Sequence, residues 1–547
     1  MIPGFELLLA SIRPSSMMIY MTLRAAGNSF TPQSPRAFQD SPRALQDSPR
    51  ALPESPQALT RSPRGPSKPL VLATILAAVL VVAALGTDAR AANNDLPVLG
   101  DASSSLISPA LEKQIGRDFL KQIHAALRTV HDPILKYYVE LQLAELAQYS
   151  QLSEKVLQIV LIDNPQVNAF AAPGGVVGIN LGLFLNAQDQ HEYASVIAHE
   201  LAHLSQRHFA RGIEEQRSNA LPSLASLIAA IMVGVVGGGE AGIAAMSASR
   251  ALAQQSQLRY SRARETEADR IGLNTLASAG LDPDGMARMF DRMNRAYRYT
   301  RKPPEFLLTH PLSETRIADA KTQARKFPRR EYTDSPDFAL MRVRAQIHYA
   351  DSAAAAVKQF DKEVRDNPDS PAAQYGLALA LSKADRHREA LPLADALFSA
   401  DPHKLLYVAA YAELLTEAGK YSQALTLLER QLVLNPDNPP LSMLYANALS
   451  KNGEHEVAEM VLQRQSRARP DDVDVWYELA EAAGKAGNII GVHRARAEYF
   501  ALHGAYTKAI QHLEYARRLV SRSDTQLNAR LDQRINDLRT ELRIAQS

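Results

Sequence analysis

The chain of 547 residues contains no cysteine. Disulfide frameworks, thiolate zinc fingers, iron–sulfur clusters and cysteine nucleophiles are therefore excluded, and any metal must be held by histidine or carboxylate. The lack of cysteine is compatible with an oxidising compartment. Net charge is nearly absent too, with 61 Lys and Arg against 59 Asp and Glu. Without a concentrated basic surface, nothing points to nucleic acid as a partner. At 46% hydrophobic and 22% charged residues, the composition is that of a multi-domain globular protein.

The charge balance sums over unlike segments. Residues 1–68 carry eight basic and four acidic side chains, which leaves 53 against 55 for residues 69–547. That first segment holds ten of the 31 prolines and repeats Ser-Pro-Arg-Ala at Ser34, Ser41 and Ser48, degenerately at Ser55 and Ser62. A helix breaker in every seven-residue unit rules out a packed core and a heptad coiled coil. The expectation is a disordered Pro-rich leader, or a start codon placed too far upstream. Residues 69–91 follow, with 19 uncharged residues from Pro69 to Thr87, Arg61, Arg64 and Lys68 before them, and Ala89 and Ala91 after. These are the parts of a secretory signal cleaved after Ala91, or of an uncleaved anchor near the minimum spanning length. Both readings export the rest of the chain.

From residue 92 to about 330 the pattern is globular. Helical periodicity covers Leu111–Leu127 and Ile134–Leu146, and β-type runs cover Val156–Ile162 and Val167–Phe170. Pro173-Gly-Gly175 then separates a third apolar run, Val176–Phe184, as in a hairpin. One long helix is expected over Glu192–Glu215. Residues 336–520 differ: Asn367-Pro, Asp401-Pro, Asn435-Pro and Arg469-Pro recur every 34 residues, with small residues such as Ala390 and Ala424 between them. Period and closing proline match tetratricopeptide repeats, about five units ending in a degenerate Gly504–Tyr515, before a C-terminal helix at 521–547. Stacked repeats form a groove for an extended or helical piece of a protein partner.

The most informative residues are His199-Glu-Leu-Ala-His203, inside the expected long helix. Histidines four apart lie on one helical face and can share one zinc ion, and Glu200 can act as general base. A third histidine after a glycine bend fails, because Gln206 stands where that glycine is needed. On a continuous helix His208 lies on the side opposite His199, so it reads as a surface or supporting residue. A carboxylate from a later helix is the other option. Glu265 and Asp269, four apart, offer a ligand and an acceptor for a ligand histidine. Glu267 points elsewhere and reads as a solvated charge, with the swapped glutamate as the alternative.

With these residues, Asn168–Gly175, and Thr309-His310-Pro311 followed by Arg316, the chain resembles the HtpX and CaaX-prenyl-protease group of zinc metallopeptidases, and within it the periplasmic BepA-like branch that carries tetratricopeptide repeats. The resemblance implies one Zn2+ per chain on His199, His203 and Glu265, with Glu200 as base. It also implies an active-site edge strand around Val176–Leu181, with Gly174, Gly175, Val176 and Arg316 as substrate-side residues. His310 is open between stabilising the oxyanion and filling the fourth zinc position. Arg316 is open between orienting a carboxylate and anchoring its loop. The uncharged stretch Ser218–Gly239 reads as a lid over the site or, as in integral relatives, a membrane-inserted segment.

The expected architecture is mainly α with a small β-sheet, a metallopeptidase domain followed by an all-α repeat array. The expected function is an exported zinc endopeptidase in the quality control and chaperone-like assembly of outer-membrane proteins. The resemblance implies unfolded or misassembled outer-membrane proteins and their assembly machinery as partners, with peripheral membrane contact. The competing readings are a repeat-based chaperone or scaffold with latent protease activity, and an integral membrane protease.

Overall fold

The computed structural model describes residues 107–155, 157–215, 228, 232, 262–298 and 305–546. The leader 1–68, the apolar segment 69–91 and the stretch Ser218–Gly239, apart from Ile228 and Met232, lie outside the described residues. Those described belong to one compact unit, Asn94–Ser547. Among them, no helix is long and apolar enough to cross a membrane.

Helices α1 (Pro109–Ala126) and α2 (Pro133–Tyr149) start alike. Ser108 and Asp132 accept from backbone N–H groups of the first turn, and a proline, whose missing N–H costs nothing there, follows. Strands β1 (Gln158–Ile162), β2 (Ala169–Ala172) and β3 (Val176–Asn180) form one sheet in the order β1-β3-β2, with β3 parallel to β1 and antiparallel to β2. The expected hairpin thus forms, across the turn Pro173–Gly175. The third run stays extended only to Asn180, and Gly182–Asn186 is helical (α3).

This order corrects the expected edge strand. Strand β3 is central, and Val176 is fully buried between Gln158 and Ala172. Gly174, at φ 77°, packs so tightly on α1 that a Cβ there would lie 2.7 Å from the Glu112 carbonyl oxygen. Gly174, Gly175 and Val176 therefore form a corner that fixes the hairpin on α1. The outer edge beside the site belongs to β2.

Helices α4 (Gln190–Ser205), α5 (His208–Glu215), α6 (Arg262–Ser278), α7 (Asp284–Arg298), α8 (Glu305–Thr309) and α9 (Glu314–Ala324) complete the peptidase region. The single helix expected over Glu192–Glu215 is in fact two. The break falls at Arg207, a non-glycine residue at φ 48°, whose guanidinium donates to Glu112 Oε1 (3.2 Å) and the Ile107 carbonyl (2.6 Å).

The repeats are the helix pairs α10 (Pro336–His348) and α11 (Ala353–Asp366), α12 (Pro371–Lys383) and α13 (His387–Ala400), α14 (Leu405–Glu417) and α15 (Tyr421–Leu434), α16 (Pro439–Lys451) and α17 (His455–Ala468), α18 (Val473–Lys485) and α19 (Ile489–Leu502). Each periodic proline follows a residue forced out of helical geometry, with ψ between 66° and 85° at Asn367, Asp401, Asn435 and Arg469. The degenerate unit and the C-terminal helix make a sixth pair, α20 (Tyr506–Leu519) with α21 (Thr525–Gln546), around Leu513, Leu531, Ile535 and Leu538. The first repeat also enters the peptidase core. Phe338 of α10 packs on Phe184 (5.9 Å between centroids) and on Tyr193 of α4 (5.5 Å).

Candidate active site

Helix α4 is buried at every residue from His191 to His203. Its start is fixed twice: Asp189 accepts from Glu192 N, and the Glu192 carboxylate accepts from Gln188 N and from Arg292 of α7. Helix α6 lies against α4, and Gly272 permits the approach, since a Cβ there would stand 3.2 Å from the His199 nitrogen. Glu265, Asp269 and Gly272 share one face of α6, so the close packing that needs the glycine also delivers both carboxylates.

His199, His203, Glu265 and His310 are each no more than 2% exposed, and their donor atoms all lie within 4.8 Å of one another. His199 Nε2 is 3.0 Å from His203 Nε2 and 3.4 Å from His310 Nδ1. Glu265 oxygens lie 3.6, 3.5 and 3.1 Å from His199, His203 and His310. Four donors bound tetrahedrally at zinc distances are separated from each other by about 3.3 Å. The spacing observed is close to that, and the donor types are those zinc prefers when cysteine is absent.

The supporting contacts fix which atom faces inward. His199 Nδ1 lies 2.9 Å from Asp269 Oδ1, so a neutral ring keeps its proton on that side and turns the lone pair of Nε2 to the other donors. Arg316 of α9 grips Asp269 with Nε (2.8 Å) and Nη2 (2.7 Å), and its Nη1 reaches Glu265 Oε2 (2.8 Å) and the Pro311 carbonyl (3.0 Å). Arg316 therefore both orients carboxylates and anchors the His310 loop. It is 6% exposed and its donors are engaged, which removes it from the substrate-side residues. His310 follows α8, where its N–H bonds to the Phe306 carbonyl and its ring stacks on Phe306 at 4.7 Å.

Glu200 points to the same centre, with Oε1 3.4 Å from His310 Nε2, and it accepts the Ala171 N–H of edge strand β2. Burial pushes its carboxyl above the usual carboxylate range, although the neighbouring imidazoles pull the other way. Burial acts likewise on Glu265, but His310 and His199 outweigh it and hold that carboxyl well below its ordinary value. Burial opposes charge on His199, yet Asp269 and Glu265 raise its imidazole to about 9. His203 is pushed well below its ordinary value by burial and by His199.

Of the two readings of His208, surface or supporting residue, the structure bears out the supporting one, although the ring points the opposite way from a continuous helix. Because the helix breaks at Arg207, the ring folds back, is fully buried, and sets Nδ1 2.9 Å from His203 Nδ1, while Nε2 meets Glu267 at 3.1 Å. Glu267 is thus neither a ligand nor a purely solvated charge. Nothing in the local sequence marks Arg207 for left-handed backbone, so a regular helix was the natural reading.

Residues 133–324 match peptidase family M48, and residues 415–488 match the tetratricopeptide repeat family. A protein of Vibrio cholerae serotype O1 named for beta-barrel assembly enhancement is 36% identical over 445 residues, 80% of this chain and 92% of the relative. The beta-barrel assembly-enhancing protease of Escherichia coli strain K12 is 31% identical over 343 residues, 62% of this chain and 70% of the relative. The mitochondrial metalloendopeptidase OMA1 of Schizosaccharomyces pombe is 30% identical over 216 residues, 39% and 60% of the two chains.

Proposed function

The chain belongs to peptidase family M48 and is a zinc metalloprotease, and from that premise we propose that it cleaves outer-membrane β-barrel proteins during their assembly, in the periplasm, with the repeats holding a protein partner. The observation that carries the reading is a buried donor set at zinc spacing, His199, His203, Glu265 and His310, with Glu200 beside it.

His199, His203 and Glu265 would hold the metal. Zinc, when bound, supplies Lewis acidity that polarises a carbonyl and acidifies water. Glu200 takes the proton from the attacking water and passes it to the departing amine, a task suited to a carboxyl whose pKa is raised by burial. An extended substrate pairs with the outer edge of β2, whose Ala171 N–H already fixes Glu200, so substrate backbone and base share one reference strand.

A second reading, a chaperone whose protease is latent, is favoured by His310. Its Nδ1 completes the donor set and its Nε2 stands 3.4 Å from Glu200, so the ring fills the space between base and donors. Cleavage then requires Thr309–Pro311 to move. One experiment addresses both readings. Purified wild-type protein, Glu200→Gln and His310→Ala are loaded with zinc and given an unfolded outer-membrane β-barrel. Glu200→Gln is expected to keep its zinc and lose at least about 100-fold in cleavage rate, and His310→Ala to cleave faster than wild type. Undiminished cleavage by Glu200→Gln sinks the mechanism, and slower cleavage by His310→Ala assigns that ring to the oxyanion instead.

A further inference from the structure

The two helical histidines of the site are supported differently. His199 leans directly on a buried carboxylate, Asp269, which Arg316 holds. His203 has Nδ1 2.9 Å from another imidazole, His208 Nδ1, and His208 Nε2 lies 3.1 Å from Glu267 Oε2. Glu267 is also held by Arg211 Nη1 at 3.1 Å, one helical turn after the break.

We propose that His208 and Glu267 are positioning residues that lock the tautomer and ring orientation of His203 for metal binding. The inference rests on the zinc-peptidase reading, and the proton count follows from it. If His203 offers the lone pair of Nε2 to the metal, its single proton sits on Nδ1. Two Nδ1 atoms 2.9 Å apart share one proton, so His208 Nδ1 must accept. The proton of His208 then sits on Nε2 and is donated to the Glu267 carboxylate. Each link has only one consistent direction of donation, from His203 in the donor set through His208 to the accepting Glu267 carboxylate. A continuous helix would have carried His208 away from His203. The left-handed Arg207 (φ 48°) is the strained residue that turns it back, and such strain persists where surrounding contacts over-determine it, here Glu112 and the Ile107 carbonyl.

The test is zinc affinity of the full chain, measured by chelator competition, with the thermal melt of the zinc-free protein as a control for folding. His208→Leu keeps a buried apolar body but offers no acceptor, and is expected to weaken zinc binding about 10- to 100-fold. His208→Asn puts its amide oxygen where Nδ1 stands and is expected to return affinity to within about threefold of wild type, whereas His208→Gln, whose amide reaches the Nε2 position, is not. Glu267→Ala frees His208 to take the opposing tautomer and is expected to weaken binding several-fold, which keeps the inference testable if His208→Leu does not fold. The proposal is overturned if His208→Leu or Glu267→Ala binds zinc like wild type, or if His208→Asn is as weak as His208→Leu. A wild-type chain that takes up no zinc would sink the peptidase reading itself, a separate outcome.

Discussion

The peptidase core and the repeat array solve the problem of burial in opposite ways. Around His199 the chain buries Glu200, His203, His208, Glu265, Asp269, His310 and Arg316 together, and each charge is tolerated because another group meets it. The repeats bury mostly alanine and leucine, such as Ala378, Ala380, Ala390, Ala410, Ala424 and Leu428, and leave most of their charges in water. A repeat needs only its neighbour, whereas the site needs groups from α4, α6, α8 and α9 at once. Chemistry is concentrated where removing one partner is expensive, and recognition where substitution is cheap.

If that contrast holds, equal-sized insults should fall unequally. Arg316→Met removes the cation shared by Asp269, Glu265 and the Pro311 carbonyl, and is expected to destabilise the zinc-free chain by about 3–5 kcal/mol, because two buried carboxylates lose their partner. Gly376→Ala in α12 makes the corresponding insult to the array. Its Cβ would lie 2.3 Å from the buried Phe360 ring, which costs about 1–3 kcal/mol of overpacking, offset by roughly 1 kcal/mol of helix propensity. Denaturant melts of both variants decide the matter. A larger loss for Gly376→Ala than for Arg316→Met would reverse the comparison.

The same contrast explains what could be read before the fold was known. The repeats were legible because proline and small residues recur in sequence at the period at which they recur in space. The pairs His199 with His203 and Glu265 with Asp269 were legible because a four-residue step is a contact on a helix. The edge strand was misassigned because strand order is not local: Val176 reads as a strand residue whether its strand is central or outer. The supporting role of His208 was legible as one of two readings, but its direction was not, because one backbone angle, at Arg207, decides which way its ring points. The chain boundary near 330–336 was visible as a change of pattern, yet Phe338 from beyond it packs on Tyr193 of the metal-bearing helix.

The smallest effect is expected at the joint between the two regions. Lys136 of α2 bonds Asp472 (2.7 Å) and Asp474 (3.2 Å) at the start of α18, and His131 pairs with Asp474. Burial raises the Asp474 carboxyl, but Lys136 and His131 outweigh it and bring it down to about 2. A depressed carboxylate contributes stability above its unfolded value, near 3.8, and loses it as pH falls through about 2. The hydrogen bond that His131 donates to Asp474 raises its imidazole against the opposing effect of burial, so its contribution is complete below its unfolded value of 6.5 and fades as pH rises through the folded value. The joint should therefore be firmest between about pH 4 and 6.5. Wild type should exceed Asp474→Asn there by about 1 kcal/mol or less, a partly exposed pair being worth no more. The gap in unfolding midpoint, followed from pH 2 to pH 8, should narrow at both ends. A gap that stays constant across the range would mean that packing alone, of the kind that joins Phe338 to Tyr193, holds the two regions together.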